Sequence, residues 1–90
     1  MLDRNLRALS DPTRREILRL LREGDRSAGE IAERFPLTAA SISHHLAVLK
    51  EAGLVSAMRD GRSIIYSLEA TVVQELLETL LDQFGIGERT

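Results

Sequence analysis

The side chains with the greatest chemical reach in this chain sit in two short stretches, Ser41-Ile42-Ser43-His44-His45 and Arg59-Asp60-Gly61-Arg62. Histidines hold metals and move protons, but adjacent residues on a helix project about 100° apart, so His44 and His45 cannot readily chelate one ion. No cysteine occurs among the 90 residues, which removes thiolate ligands, thiol nucleophiles, disulfides and thiol redox sensing together. There is also no Gly-rich phosphate loop and no acid–base pair beyond the two histidines. No catalytic residue, no metal ligand and no cofactor is therefore expected. What these stretches can do is bind. Ser hydroxyls donate to phosphates or base edges, His donates from either ring nitrogen, and the Arg fork matches phosphate bidentately.

Dense punctuation divides the sequence into the elements that must position these side chains. Leu2, Leu6 and Leu9 recur at i, i+4, i+7 and predict a short first helix. Asp11 as N-cap with Pro12 at the first helical position opens a second, whose apolar residues are Ile17, Leu18, Leu20 and Leu21 and whose stop is Gly24. Ser27-Ala28-Gly29-Glu30 is a capping box for a third helix with Ala28, Ile31, Ala32 and Phe35 inward, ended by Pro36. Thr38 caps a fourth, which Gly53 stops. Two apolar runs, 54–58 and 63–68, then flank Asp60-Gly61, the signal for a two-residue type I′ hairpin turn. In that register Arg59 and Arg62 face each other at the tip. Like charges so placed cost up to about 1 kcal/mol, which a phosphate between them would relieve. Thr71-Val72-Val73-Gln74 reads as the cap of a last helix ending near Phe84-Gly85.

The resulting order, α-α-α-α-β-β-α, is mainly helical with one β-hairpin and fits a winged helix-turn-helix occupying residues 1–90 as one domain. The turn is Phe35-Pro36-Leu37-Thr38. On the fourth helix Ala39, Ile42, Leu46 and Leu49 fall within about 80° and form the core stripe. Ala40, Ser41, His44, Ala47 and Val48 lie on the outer half with Ser43 at its flank, and no acid occurs in residues 38–50. A merely solvated helix would carry Glu and Lys there. Small and hydroxylic side chains instead permit close approach to a major groove. Thr38, Ala40, Ser41, Ser43, His44 and His45, with Arg59 and Arg62 on the wing, form the expected DNA-contacting set. His45, beside Leu46, equally fits a partly buried residue that orients the helix. Arg14 and Arg15 fit ordinary surface at least as well as phosphate contacts, and Tyr66 fits the core.

Three stretches resemble the ArsR/SmtB family of bacterial winged-helix repressors: Ser10-Asp11-Pro12-Thr13-Arg14-Arg15-Glu16-Ile17-Leu18, Ser41-Ile42-Ser43-His44-His45-Leu46, and the hairpin from Gly53-Leu54-Val55 through Arg59-Asp60-Gly61-Arg62 to Tyr66-Ser67-Leu68. The resemblance covers roughly residues 4–84. It implies a homodimeric transcriptional repressor paired through its first and last helices, with Ser41, Ser43 and His44 facing the groove and Arg59 and Arg62 serving the wing. It also implies two metal-sensing positions that this chain does not fill. Where many members carry a cysteine pair, the sequence is Ala28-Gly29-Glu30-Ile31-Ala32, and the last helix has no histidine.

Independently of that resemblance, the last helix is apolar over too wide an arc. Val72, Val73, Leu76, Leu77, Leu80, Leu81 and Phe84 spread over about 180°, against the ~100° that one core requires. A homodimer interface of Leu2, Leu6 and Leu9 with Leu76, Leu77, Leu80, Leu81 and Phe84 follows as an expectation. It would set two recognition helices about 34 Å apart. The net charge of −2 divides unevenly, with eleven basic and nine acidic residues up to position 66 and a strongly acidic remainder. The acidic end turns the other end toward anionic partners. No membrane-length apolar run or leader-like block occurs, so a cytoplasmic protein without membrane insertion is expected. The expected partners are double-stranded DNA, a second copy, and a protein or small-molecule inducer. A protein-interaction module using the same outer helical face is the alternative, and a hydrolase has no residues to support it.

Overall fold

The computed structural model describes residues 2–86. Met1, and Glu88 and Arg89 of the acidic end, lie outside the described residues. Five helices and three strands follow in the order α1 (Leu2–Leu9), α2 (Pro12–Arg22), β1 (Arg26–Ser27), α3 (Ala28–Glu33), α4 (Ala39–Glu51), β2 (Val55–Asp60), β3 (Ser63–Leu68) and α5 (Ala70–Gln83). The helical core with a small antiparallel sheet is a winged helix-turn-helix.

Local chemistry sets most boundaries where the sequence places them. The Asp11 carboxylate accepts from the Arg14 backbone N–H at 3.1 Å, with Pro12 in the first turn. Both halves of the capping box form: the Ser27 N–H donates to Glu30 Oε1 at 2.8 Å and the Glu30 N–H to Ser27 Oγ at 3.1 Å. At the other end of α4, Gly53 takes φ +77°. Its N–H donates to the Lys50 carbonyl and that of Leu54 to Leu49, the paired bonds of a Schellman stop. Leu49 and Leu54, which that motif brings together, are both fully buried.

Three expectations need correction. The sheet has a third strand: Arg26 pairs with Tyr66 and Ser27 with Ile65, giving the order β1-β3-β2. The hairpin turn is shifted by one residue. Asp60 pairs with Ser63 and Arg59 with Ile64, so the two-residue loop is Gly61-Arg62 and the arginines are not opposite one another. Gly61 has φ +64° and, among the described residues, no non-glycine residue has positive φ, which excludes type I′ and fits the type II′ pattern of Gly first. Finally, α5 begins at Ala70 with Glu69 as N-cap and no side-chain capping bond, so Thr71 and Gln74 do not cap it.

The core joins all the helices. Ile17, Leu20 and Leu21 of α2, Ile31 of α3 and Ile42, Leu46 and Leu49 of α4 are buried together with Ala8, Ala52, Leu54, Val55 and Leu76. Ala39, grouped with the core stripe by helical spacing, is exposed at the first position of α4. On α1 the buried residues are Asn5 and Ala8, while Leu6 is 38% exposed. Leu6 lies about 100° from Asn5 and about 160° from Ala8 around the helix, so α1 is rotated to hold its leucine stripe half outward.

Candidate nucleic-acid interface

α4 is fixed from beneath before its outer face is considered. Ile42, Leu46 and Leu49, at i, i+4, i+7, lock it to the core with no more than 2% exposure each. Thr38 starts it, its Oγ1 accepting from the Ser41 N–H at 3.1 Å, and the first turn carries no acid. The N-terminal end of α4 therefore keeps its positive dipole end unneutralised and presents the unbonded N–H groups of that turn to solvent. The Thr38 hydroxyl proton remains free to donate.

Of the side chains singled out from the sequence, Thr38, Ala40, Ser43, His44 and Ala47 are exposed, and Ser41 and Val48 are half-buried. They form one face with no acidic side chain until Glu51. His44 and His45 diverge: their ring centroids lie 5.9 Å apart with planes tilted by 53°. His44 faces outward with the serines. His45 turns in, its side chain only 13% exposed.

What holds His45 was not legible in the sequence. Arg14 donates from Nη1 to His45 Nδ1 at 3.1 Å, which makes that nitrogen an acceptor and puts the imidazole proton on Nε2. The same guanidinium donates from Nε to the Ala8 carbonyl at 2.7 Å and from Nη2 to that of Arg7 at 3.1 Å. Arg15 Nη1 donates to the Leu9 carbonyl at 2.7 Å. The two arginines thus satisfy the last carbonyls of α1, and Arg14 also braces α4. Asp11 Oδ2 lies 3.9 Å from His45 Nδ1, a contact that becomes an ion pair only on the imidazolium. Burial pushes the Asp11 carboxyl up, but the Arg14 backbone N–H, the nearby His45, the Thr13 N–H and the Arg14 charge outweigh it and leave its pKa lowered.

A second brace acts at the far end of α4. Asn5 of α1, only 7% exposed, donates from Nδ2 to the Ala52 carbonyl at 2.7 Å. Asn5 stands three residues from Leu2 and four from Leu9, so it shares their side of α1. A polar residue on an apolar stripe was the available signal.

On the wing, Arg59 and Arg62 are exposed at the tip, with Arg59 Nη1 near the Gly61 carbonyl at 3.5 Å. Tyr66 packs against the core, as its alternation with Ile64 and Leu68 implies. At the terminal helices, Leu76 is 5% exposed and belongs to the chain's own core, with Leu2, Leu9 and Leu80 packed against it. Leu77, Leu81 and Phe84, about 80–140° around α5 from Leu76, are 53%, 44% and 72% exposed. Among the described residues, no helix is long and apolar enough to cross a membrane, and no group of three His, Cys, Asp or Glu side chains is placed to hold a metal ion.

Residues 11–57, from the Asp11 cap to the first half of the wing, match the model of the family described as "Bacterial regulatory protein, arsR family". The transcriptional repressor SdpR of Bacillus subtilis is 49% identical over 82 residues, 91% of each chain. The transcriptional regulator NmtR of Mycobacterium tuberculosis is 44% identical over 81% of this chain, which spans 61% of that protein. Among solved structures, an ArsR-like transcriptional regulator from Rhodococcus sp. RHA1 superposes with a TM-score of 0.83 at 37% identity, covering 93% of this chain and 78% of the other. A braced helix with an acid-free outer face, a wing tipped with arginines and these likenesses converge: the chain belongs to the arsR family of bacterial regulatory proteins and is a DNA-binding transcriptional regulator of the winged helix-turn-helix type.

Proposed function

We propose that residues 1–90 act as one winged-helix domain that dimerises and represses transcription by occupying an inverted-repeat operator, without a metal ion. The observation that carries this reading is the outer face of α4, which is anchored on its inner side, free of acid before Glu51, and furnished with Ser43 and His44. Ser43 and His44 read base edges. Thr38, Ala40 and Ser41 bring the N-terminal end of α4 against a phosphate, where the helix dipole and unbonded N–H groups favour an anion. Arg59 and Arg62 engage backbone from the wing. His45 acts from inside, by fixing α4 through Arg14.

Repression is favoured over activation by the likeness to SdpR, a repressor by name that matches over nearly the whole chain. Dimerisation is favoured by the apolar residues α5 leaves exposed, with Leu6 of α1 as their complement. Metal independence rests on composition: the chain has no cysteine, and neither of its histidines lies on α5. A protein or small-molecule inducer is left to relieve repression.

Selection of bound sequences from random duplex DNA tests the core of this reading. The expected product is a two-fold symmetric motif with half-sites spaced by about one helical turn or a multiple of it. Retention of no duplex, or of duplexes without an enriched motif, overturns it. Arg62→Ala should weaken operator and random DNA alike and flatten the salt dependence, whereas His44→Ala should reduce the preference for operator by about tenfold. Zinc, nickel or arsenite should leave operator affinity unchanged, and release by any of them refutes the metal-independent part alone.

A further inference from the structure

The cleft between α1 and α4 carries charge that the recognition helix and wing do not use. Arg4 and Arg7, one turn apart on α1, line it together with His44, Ala47, Val48 and Glu51 of α4, around a volume of about 280 Å3. Both arginines are exposed. The ion pairs among the described residues involve Arg19, Arg26 and His45, so neither Arg4 nor Arg7 is held in a direct salt bridge, and Glu51 is the one acid that lines the cleft with them. Neither guanidinium donates an internal hydrogen bond among those residues; Arg7 takes part only through its backbone carbonyl, which accepts from Arg14 and Ser10. Like charges at i, i+3 repel, and an anion between them removes that repulsion.

We propose that this cleft seats the sugar–phosphate backbone of the same duplex whose bases meet α4, with Arg7 and Arg4 on phosphates and Ala47 and Val48 against deoxyribose. The inference rests on the DNA-binding reading above. Its first support is continuity, since His44 borders the cleft and also stands on the reading face. Its second is fit. A major groove about 12 Å wide is filled by a helix about 10–12 Å across, so an element packed along that helix meets the flanking strand. A strand backbone alternates anions with apolar sugars, which the cleft's arginines and its Ala47 and Val48 complement. Glu51 also lines the cleft and opposes an anion there, so its charge works against the two arginines.

The test is a salt titration of dimer binding to an operator-containing duplex and to a random duplex of equal length, by fluorescence anisotropy. Arg7→Ala should weaken both duplexes to the same extent and lower the log–log salt slope by about 2, one phosphate per protomer. Arg4→Ala/Arg7→Ala should lower it further, and Glu51→Gln should tighten both complexes. Thermal unfolding should be unchanged in Arg7→Ala, because its side chain makes no internal bond. If the wild-type chain retains duplex DNA while the double variant keeps its affinity and slope, the cleft is not a phosphate site although the protein binds DNA. If the double variant loses operator binding but not random binding, the cleft reads sequence and the backbone assignment is wrong. If the wild-type chain retains neither duplex, the DNA-binding reading itself fails.

Discussion

Arg14 shows how much one side chain can settle at the residue scale. Its guanidinium bonds two carbonyls of α1 and one nitrogen of His45, a planar fork shared among three acceptors. Arg14→Ala removes the donor to the Ala8 carbonyl and to His45 Nδ1, while the Arg7 carbonyl keeps Ser10, and should destabilise the fold by about 1–3 kcal/mol in chemical denaturation. Arg14→Lys should recover little, because an ammonium cannot reproduce the fork. The two lowered carboxyls give stability a pH signature. Glu30 is held down chiefly by the Ser27 backbone N–H, and Asp11 by the bonds and charges that outweigh its burial. Each has a folded pKa below its unfolded one, so below about pH 4 the unfolded chain binds more protons at these sites. Their stabilisation is complete only above the unfolded values and is lost as pH falls through the lowered folded ones. Melting temperature should therefore drop as pH falls below about 5 and through the carboxylate range, and Asp11→Asn should shrink that drop. A residue such as Arg14 could not be assigned from sequence: its partners are 6, 7 and 31 positions away, and spacing on its own helix says nothing of them.

At the scale of elements, what was legible is what neighbours in sequence decide. The Ser27–Glu30 box, the Asp11 and Thr38 caps and the Gly53 stop each depend on residues within a turn or so, and all four form. What was not legible depends on distant pairing. β1 is two residues long, too short to show any period, and exists only because β3 offers it an edge. The one-residue shift of the hairpin loop follows from strand pairing, which carries Asp60 into the ladder and leaves Gly61 the one position that needs positive φ. Gly53 makes the complementary point. A Cβ added there meets nothing within 4 Å, so Gly53→Ala isolates the backbone cost of φ +77°. A loss of about 1–2 kcal/mol in urea unfolding is expected, with Gly53→Asn recovering part of it. An unchanged midpoint for Gly53→Ala would show that α4 ends some other way.

The whole molecule is long for its size, with extents of 48 × 22 × 20 Å. α5 contributes a single buried residue, Leu76, and leaves Leu77, Leu81 and Phe84 in solvent, an apolar exposure that a second copy would cover. If the proposed dimer forms through this face, Phe84→Glu or Leu81→Glu should raise its dissociation constant by about 10- to 100-fold in sedimentation, while changing the far-ultraviolet circular dichroism little. Operator affinity should fall with it, because a lone protomer engages one half-site. The wide apolar arc of α5 was readable from its sequence, whereas the rotation of α1 that frees Leu6 was not, since it follows from burying Asn5 and Ala8 instead. That buried Asn5 has a mechanical consequence. Its amide grips the terminal carbonyl of α4 from the element whose outer leucine, Leu6, is the one offered to a second copy in the proposed dimer. Any sliding of α1 must then either break a sheltered bond, at roughly 1–3 kcal/mol, or drag the end of α4 along. In the proposed dimer, a force applied where two copies meet would thereby be geared to the pitch at which α4 lies in the groove.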